Sequence, residues 1–167
     1  ILIMIKDIDE IRGHSIEDAK LNICEKVDAY QKKSRQDIEL VVEYGARLGQ
    51  KMKRIMVFDY SSTVDAFLRR LGDTKCSIEV IIPESRSING GYDFVGACIE
   101  AGLKIHFIPD AAMMYYLREC QGVFIGAETF YADGTAFNTT GSDIAGLLCK
   151  EFSVPLYVLT PMVKLDS

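Results

Sequence analysis

The sequence predicts an α/β fold with a mostly parallel sheet, preceded by one or two helices. Two patterns carry the prediction. Short apolar runs of strand length recur at residues 55–58, 78–82, 105–108, 123–125 and 155–159, and segments of helical periodicity lie between them. Strands alternating with helices in this way imply parallel pairing through right-handed crossovers. A third observation agrees: the runs are apolar throughout rather than alternating, the mark of strands covered on both faces.

The elements follow in order. ILIMI, residues 1–5, is apolar but too short to place, and would be a sticky edge if exposed. Ser15 with Asp18 resembles a capping box. Ile16, Ala19, Ile23, Val27 and Tyr30 then form one helical stripe, and Ile38, Val41, Val42, Gly45 and Leu48 continue the period to about Gly49. Basic residues at 32–35 interrupt the apolar pattern, so two helices or one bent helix are expected over 15–49. Residues 1–50 therefore read as an N-terminal arm with helices packing on a core, and 51–167 as the α/β domain.

Ser62 and Asp65 mark a second helix start, and Gly72-Asp73 its stop. A third helix, carrying Phe94, Val95, Cys98 and Ile99, ends at Gly102. Asp110 reads as the N-cap of a helix over 111–119. Asp133-Gly134 reads as a tight turn between 128–132 and 135–138, and a further helix spans 142–151.

Composition narrows the function. With 49% apolar and 26% charged residues, the chain has the means to build a core. A net charge of −5 and an isoelectric point near 5.1 argue against nucleic acid as the partner. The five cysteines are widely spaced and only two histidines exist, so no metal site is expected; the odd thiol fits a reducing, cytoplasmic setting. No apolar run approaches the roughly 20 residues of a membrane span, and no signal-peptide pattern opens the chain. Cys24, Cys98 and Cys149 lie on helical faces and read as core, as does His106 within its strand.

In a parallel sheet, the polar residues just after each strand share one crevice. Here these include Asp59, Ser61 and Ser62; Glu84, Ser85 and Arg86; Asp110; Glu128; and Lys164. Asn138, Thr139 and Ser142 come from the loop before the 142–151 helix. One arginine, several hydroxyls and helix N–H groups suit a phosphate. Each residue has a structural alternative. Ser61, Ser62 and Ser142 serve as helix caps, Asn138 as a loop brace, Arg86 as an ion-pair partner of Glu84, and Glu128 as a support for the 131–136 turn. Asp59 is either a general acid or base or a partner for Arg86. No glycine-rich dinucleotide fingerprint, phosphate-binding loop or serine nucleophile elbow is present, so no cofactor is expected.

Several ordered stretches carry a resemblance: Glu84-Ser85-Arg86, IPDAAMMYYL at 108–117, GAETFYADGTAFNTTGSDIAGLLCKE at 126–151, IMVFDYSSTV at 55–64 and PLYVLTPMVKLD at 155–166. Together they resemble the C-terminal domain of the eukaryotic initiation factor 2B alpha/beta/delta family over about residues 37–166. That family includes methylthioribose-1-phosphate isomerase and ribose-1,5-bisphosphate isomerase. The resemblance implies a Rossmann-like three-layer domain, dimerisation through that domain, and a sugar-phosphate site. It also implies a cysteine soon after the first strand and an aspartate after a Gly-Ala pair in the isomerases. This chain reads Phe58-Asp59-Tyr60-Ser61-Ser62 in the first place and has Glu128 in the second. The family's Asn-Lys and Gly-Thr pairs become Asn138-Thr139 and Gly141-Ser142.

Two functions follow. One is an initiation-factor-2B-like regulatory or binding domain, non-catalytic, forming a homodimer with possible protein partners and holding a phosphorylated sugar or nucleotide through Arg86, Ser61, Ser62, Asn138, Thr139, Ser142 and Lys164. The alternative is an aldose-1-phosphate to ketose-phosphate isomerase in which Glu128 and Asp59 share the proton work.

Overall fold

The computed structural model describes residues 15–74 and 77–166. The ILIMI run, His14 and Cys76 lie outside the described residues. The chain divides into two compact units, residues 1–37 and 38–167.

Helix α1, Ile16–Gly49, is continuous. Its start has the N-cap half of the expected capping box: the Asp18 amide donates to Ser15 Oγ at 3.2 Å, and the Asp18 carboxylate accepts from that hydroxyl at 2.6 Å rather than from the Ser15 amide. The basic residues at 32–35 cause no break, because lysine and arginine are good helix formers and a solvated face suits them. The expected core role of Cys24 is not met, since it is exposed, as are Ile16, Leu21 and Ile23 on the same stretch.

The second unit is built on a parallel sheet. Its strands are β1 (Arg54–Phe58), β2 (Glu79–Pro83), β3 (Lys104–Ile108), β4 (Gly122–Ile125) and β7 (Leu156–Val158). They lie in the order β3-β2-β1-β4-β7, and every pairing is parallel. Between them run α2 (Ser62–Asp73), α3 (Tyr92–Glu100), α4 (Met113–Leu117) and α5 (Ser142–Phe152). On one face, Ile55, Val57, Val80, Ile82 and Phe124 pack with Val64, Phe67, Leu68 and Leu71 of α2, Phe94 and Cys98 of α3, and Ala46 of α1. On the other face, Met56, Phe58, Ile81, Val123 and Ile125 pack with Met113 and Leu117 of α4 and Ala145 and Cys149 of α5. Both faces of the central strands are thus covered, which is why these runs lack alternation. Burial pushes the thiols of Cys98 and Cys120 up to about 12 and that of Cys149 to about 11.

A small second sheet joins β5 (Thr129–Tyr131), β6 (Ala136–Phe137) and β8 (Leu165–Asp166) in the order β6-β5-β8. β5 and β6 form the expected hairpin, with Gly134 at φ 89° and the Thr135 amide donating to Asp133 Oδ1 at 2.8 Å. The helix expected over 111–119 is shorter: a 3₁₀ turn covers Asp110–Ala112, and α4 follows.

At the N-terminal ends of the strands lies a charge network. Arg54 holds Glu79 through two bonds of 2.9 and 2.7 Å and also meets Glu119, while Lys104 meets Glu79. His106 is not a core residue: it sits half-buried on edge strand β3, its Nε2 3.6 Å from Glu79. Hydrogen bonds from Lys104 and then Arg54 hold the Glu79 carboxyl at about 2, against an ordinary value of 4.5. A depressed folded-state value stabilises fully above the unfolded value and is lost as pH falls through the folded one. Thermal stability is therefore expected to fall between pH 4.5 and about 2 more steeply in the native protein than in Glu79→Gln. The Glu79 side chain is 23% exposed, so added salt should narrow the difference. Parallel pH curves for the two proteins would contradict the assignment.

Candidate functional site

The sheet order creates one crevice. From β1 the chain runs to β2 and β3 on one side, then returns to place β4 and β7 on the other. The order reverses between β1 and β4, where Phe58 lies opposite Ile125. In an open parallel sheet, ligands bind outside the carboxyl ends of the strands at this switch point.

At the tip of β1, Asp59 is buried, with φ 56°. Asp and Asn enter this left-handed region more readily than bulky residues do. Its Oδ1 accepts from Ser85 Oγ at 3.1 Å, which joins the β1 and β2 tips. Gly90 closes over the same carboxylate: a Cβ there would lie 2.4 Å from Asp59 Oδ1. Tyr60 follows, its ring tilted on Phe94 at a centroid distance of 5.4 Å. Burial, reinforced by Asp65 and Asp93, raises its phenol above the ordinary value, so it is a neutral donor at physiological pH.

Ser61 is the N-cap residue of α2, yet its side chain makes no cap bond. It instead packs on the β4 tip, where a Cβ on Gly126 would come 2.5 Å from Ser61 Cβ and Oγ. Only glycine lets the two tips approach this closely. Ser62 begins α2 and is exposed.

At the β4 tip, Glu128 is exposed, and its amide donates to the Phe137 carbonyl at 2.8 Å. The carboxylate has no side-chain hydrogen bond among the described residues; the backbone braces the hairpin. Lys164 returns from the tail, and its Nζ donates to the Ala127 carbonyl at 2.7 Å. An ammonium is thereby fixed to the residue preceding Glu128.

Asn138 Nδ2 donates to Ser142 Oγ at 2.9 Å, and the Ser142 amide donates to the Thr139 carbonyl at 3.1 Å. These three residues line a hollow of about 500 Å³ with Ile125, Phe137, Leu156 and Val158. Asp59, Ser61, Arg86, Glu128 and Lys164 do not line it; they stand at the strand tips. Arg86 and Glu128 are both at the carboxyl end of the sheet, in the loops after β2 and β4, the strands that flank β1 from opposite sides. Arg86 is exposed, makes one long contact of 3.5 Å with Asn89, and has no carboxylate ion pair among the described residues. Among the described residues no group of three or more His, Cys, Asp or Glu is placed to hold a metal ion.

Asp110 has a different role from the one its position suggests. The turn it opens is capped by Pro109 with no side-chain bond. The Asp110 carboxylate instead accepts the amides of Ser85 and Arg86, each at 2.8 Å. Its place just after β3 marks it as a crevice residue, but the partner on another loop has no sequence signal.

The family model for the initiation factor 2 subunit family matches residues 3–167. The chain belongs to that family. The eIF2B alpha/beta/delta group within it includes ribose-1,5-bisphosphate and methylthioribose-1-phosphate isomerases. The ribose 1,5-bisphosphate isomerase of Methanocaldococcus jannaschii is 26% identical over 145 residues, covering 87% of this chain and 47% of that protein. The translation initiation factor eIF2B subunit delta of Dictyostelium discoideum is 23% identical over 159 residues, covering 92% of this chain and 26% of that protein. Among solved structures, the Pyrococcus horikoshii translation initiation factor eIF-2B superposes with a TM-score of 0.75 at 26% identity, over 89% of this chain and 52% of that one. The eIF2B-β2-δ2 tetramer of C. thermophilum gives 0.89 at 14% identity, over 98% and 54%, a likeness of fold. The chain spans about half the length or less of these relatives. Among the described residues no helix is long and apolar enough to cross a membrane.

Proposed function

We propose that the switch-point crevice binds a pentose phosphate of the ribose 1,5-bisphosphate kind and converts the aldose phosphate to the ketose phosphate. One observation carries this reading: Ser61, Lys164 and Glu128 are brought to the β1 and β4 tips, where a cation and a hydroxyl suit a phosphate and a carboxylate stands beside them. Breaking the bond between C1 and the ring oxygen, with the phosphate kept on C1, and forming the ketone at C2 requires a group that protonates the ring oxygen and a group that takes the proton of the C2 hydroxyl while the C2 hydrogen passes to C1. Glu128 is the accessible carboxylate for one task, and Asp59, one strand away, is the candidate for the other. The M. jannaschii relative, named for this reaction, supports the substrate class.

Incubating the chain with ribose 1,5-bisphosphate and following the carbon and phosphorus spectra tests it. Appearance of the ketose bisphosphate is the expected result. Absence of both turnover and a thermal shift would remove the reading.

A second reading is favoured by the β1 tip itself. Tyr60 follows Asp59 in a stretch without the thiol of the related isomerases, and Asp59 is engaged by Ser85. A regulatory domain of the initiation-factor type would bind the sugar phosphate and leave it unchanged. A thermal shift without turnover would select this reading.

In either case a homodimer is proposed. Ile144 and Leu147 of α5 are 50% and 67% exposed; Leu156 of edge strand β7 packs at Gly146 of the same helix, and Leu156, Val158 and Phe137 are exposed and line one hollow. An apolar group of this kind marks an interaction surface. Sedimentation at micromolar concentration should show a dimer that Leu147→Glu converts to monomer; a monomeric native protein would refute the proposal.

A further inference from the structure

The loop between β2 and α3 is held from two directions. Asp59 takes the Ser85 hydroxyl from below, and Asp110 takes the successive amides of Ser85 and Arg86, one on each carboxylate oxygen. Ser85 is in the left-handed region at φ 48°, and Asn89 at φ 56°. Such conformations cost free energy and persist only where the surroundings over-determine them. The determinants here are explicit. The Glu84 amide donates to the Ile108 carbonyl at 2.8 Å, the Ile88 amide to Ser85 O at 3.1 Å, and the Gly91 amide to Glu84 O at 3.1 Å. Two successive amides on one carboxylate make charge-assisted bonds, stronger than neutral ones.

The result is an arginine whose backbone is fixed and whose head is uncommitted. The Arg86 guanidinium has a single contact, 3.5 Å to Asn89, and no carboxylate pairs with it among the described residues. With the backbone already fixed, only the side chain's own rotamers are ordered when the planar guanidinium grips a phosphate with two parallel N–H bonds.

We propose that Asp110 is a positioning residue, holding the backbone of Ser85 and Arg86 so that Arg86 presents its guanidinium to a phosphate group of the ligand. This rests on the sugar-phosphate reading of the crevice. Asp110 acts through Arg86 and does not itself meet the ligand. Without the two bonds the Ser85–Arg86 segment relaxes from the left-handed turn, and the arginine samples many positions. Asp110 and Arg86 then act as one unit, and their removal is not additive.

The test is calorimetric titration of the full chain with ribose 1,5-bisphosphate, comparing native protein, Arg86→Ala, Asp110→Ala and the double variant. A charge-assisted bond to phosphate lost in the complex corresponds to about tenfold or more in affinity. We expect Arg86→Ala and Asp110→Ala each to weaken binding about tenfold, and the double variant to be little weaker than either. Asp110→Asn keeps one acceptor and should fall between; it also serves if the alanine variant folds poorly. In parallel, amide hydrogen exchange at Ser85 and Arg86 should speed up in Asp110→Asn. Native affinity in Asp110→Ala, or single losses that multiply in the double variant, would overturn the role, as would unchanged exchange at both amides. Failure of the native protein to bind ribose 1,5-bisphosphate removes the sugar-phosphate reading itself, and this role with it. Native binding with Asp110→Ala unaffected leaves that reading standing and removes only the role of Asp110.

Discussion

Glu128→Gln is expected to lower aldose-to-ketose conversion by about 10²–10⁴-fold, the usual worth of a positioned proton-transfer group. Its stability should stay within about 0.5 kcal/mol of native, because the substituted side chain is exposed and bears no structural hydrogen bond among the described residues. Glutamine keeps the length and the hydrogen-bonding oxygen and loses only the capacity to carry a proton. Rates measured at saturating ribose 1,5-bisphosphate, with melting curves alongside, check both halves. Asp59→Asn is the paired experiment. Asparagine tolerates the positive φ of 56° and keeps an acceptor for Ser85, so the loop remains braced. If Asp59 is the second proton carrier, Asp59→Asn loses turnover with an unchanged melting point. If it only braces Ser85, turnover survives and Glu128 works with another acid. Full activity in Glu128→Gln would move the proton chemistry away from the β4 tip.

The strands were legible because a parallel sheet covered on both faces leaves no room for polar residues. Ile55, Met56, Val57 and Phe58 are all buried to within 1%, so the apolar run and the strand coincide. Strand order was not legible: β1 pairs with both β2 and β4, and nothing in the local pattern of 122–125 says on which side of β1 it will lie. Of the two helices or one bent helix that the basic residues at 32–35 suggest, the structure has the single helix: Lys32, Lys33 and Arg35 are exposed, and lysine and arginine are good helix formers. The stripe through Ile16 and Ile23 has the period of a buried face, yet these two are exposed and Ala19, Val27 and Tyr30 only half-buried, so period alone does not fix burial.

Where the candidate site residues lie was legible to the extent that position after a strand decides it. In an all-parallel sheet the carboxyl ends share one edge, so Asp59, Arg86, Asp110 and Glu128 had to emerge together. Which loop grips which was invisible, because those bonds cross from one strand tip to the next. Lys164 is the clearest case. It reaches Ala127 because β8 pairs with β5, Leu165 opposite Phe130, a contact between segments far apart in sequence with no periodicity to announce it. The serines were ambiguous for a related reason. Ser61 sits where an N-cap belongs, and only the close approach of Gly126 shows that its side chain is directed to the neighbouring strand tip instead.

Phe124→Ala is expected to destabilise the domain by about 3–5 kcal/mol, the range for truncating a buried aromatic. Phe124 is fully buried on β4, stacked on Phe67 of α2 at 4.5 Å and on Tyr157 of β7 at 4.9 Å. Its ring links three elements on one face of the sheet, so removal leaves a cavity and breaks two aromatic contacts together. For a chain of this size the melting point should drop by on the order of 10 °C. Phe124→Leu preserves most of the volume and should cost under about 1.5 kcal/mol. Phe137→Ala, on a ring 57% exposed with one edge-on contact to Tyr131, should cost about 1.5 kcal/mol or less. Denaturant unfolding of the three variants gives the ranking directly. The same stack holds β4 against α2, whose N-cap residue Ser61 packs on Gly126 at the β4 tip, so a ligand shift retained in Phe124→Leu and lost in Phe124→Ala would tie the core to the crevice. A loss below about 1 kcal/mol in Phe124→Ala would mean that α2 and β7 collapse into the gap, and that this layer is softer than its packing implies.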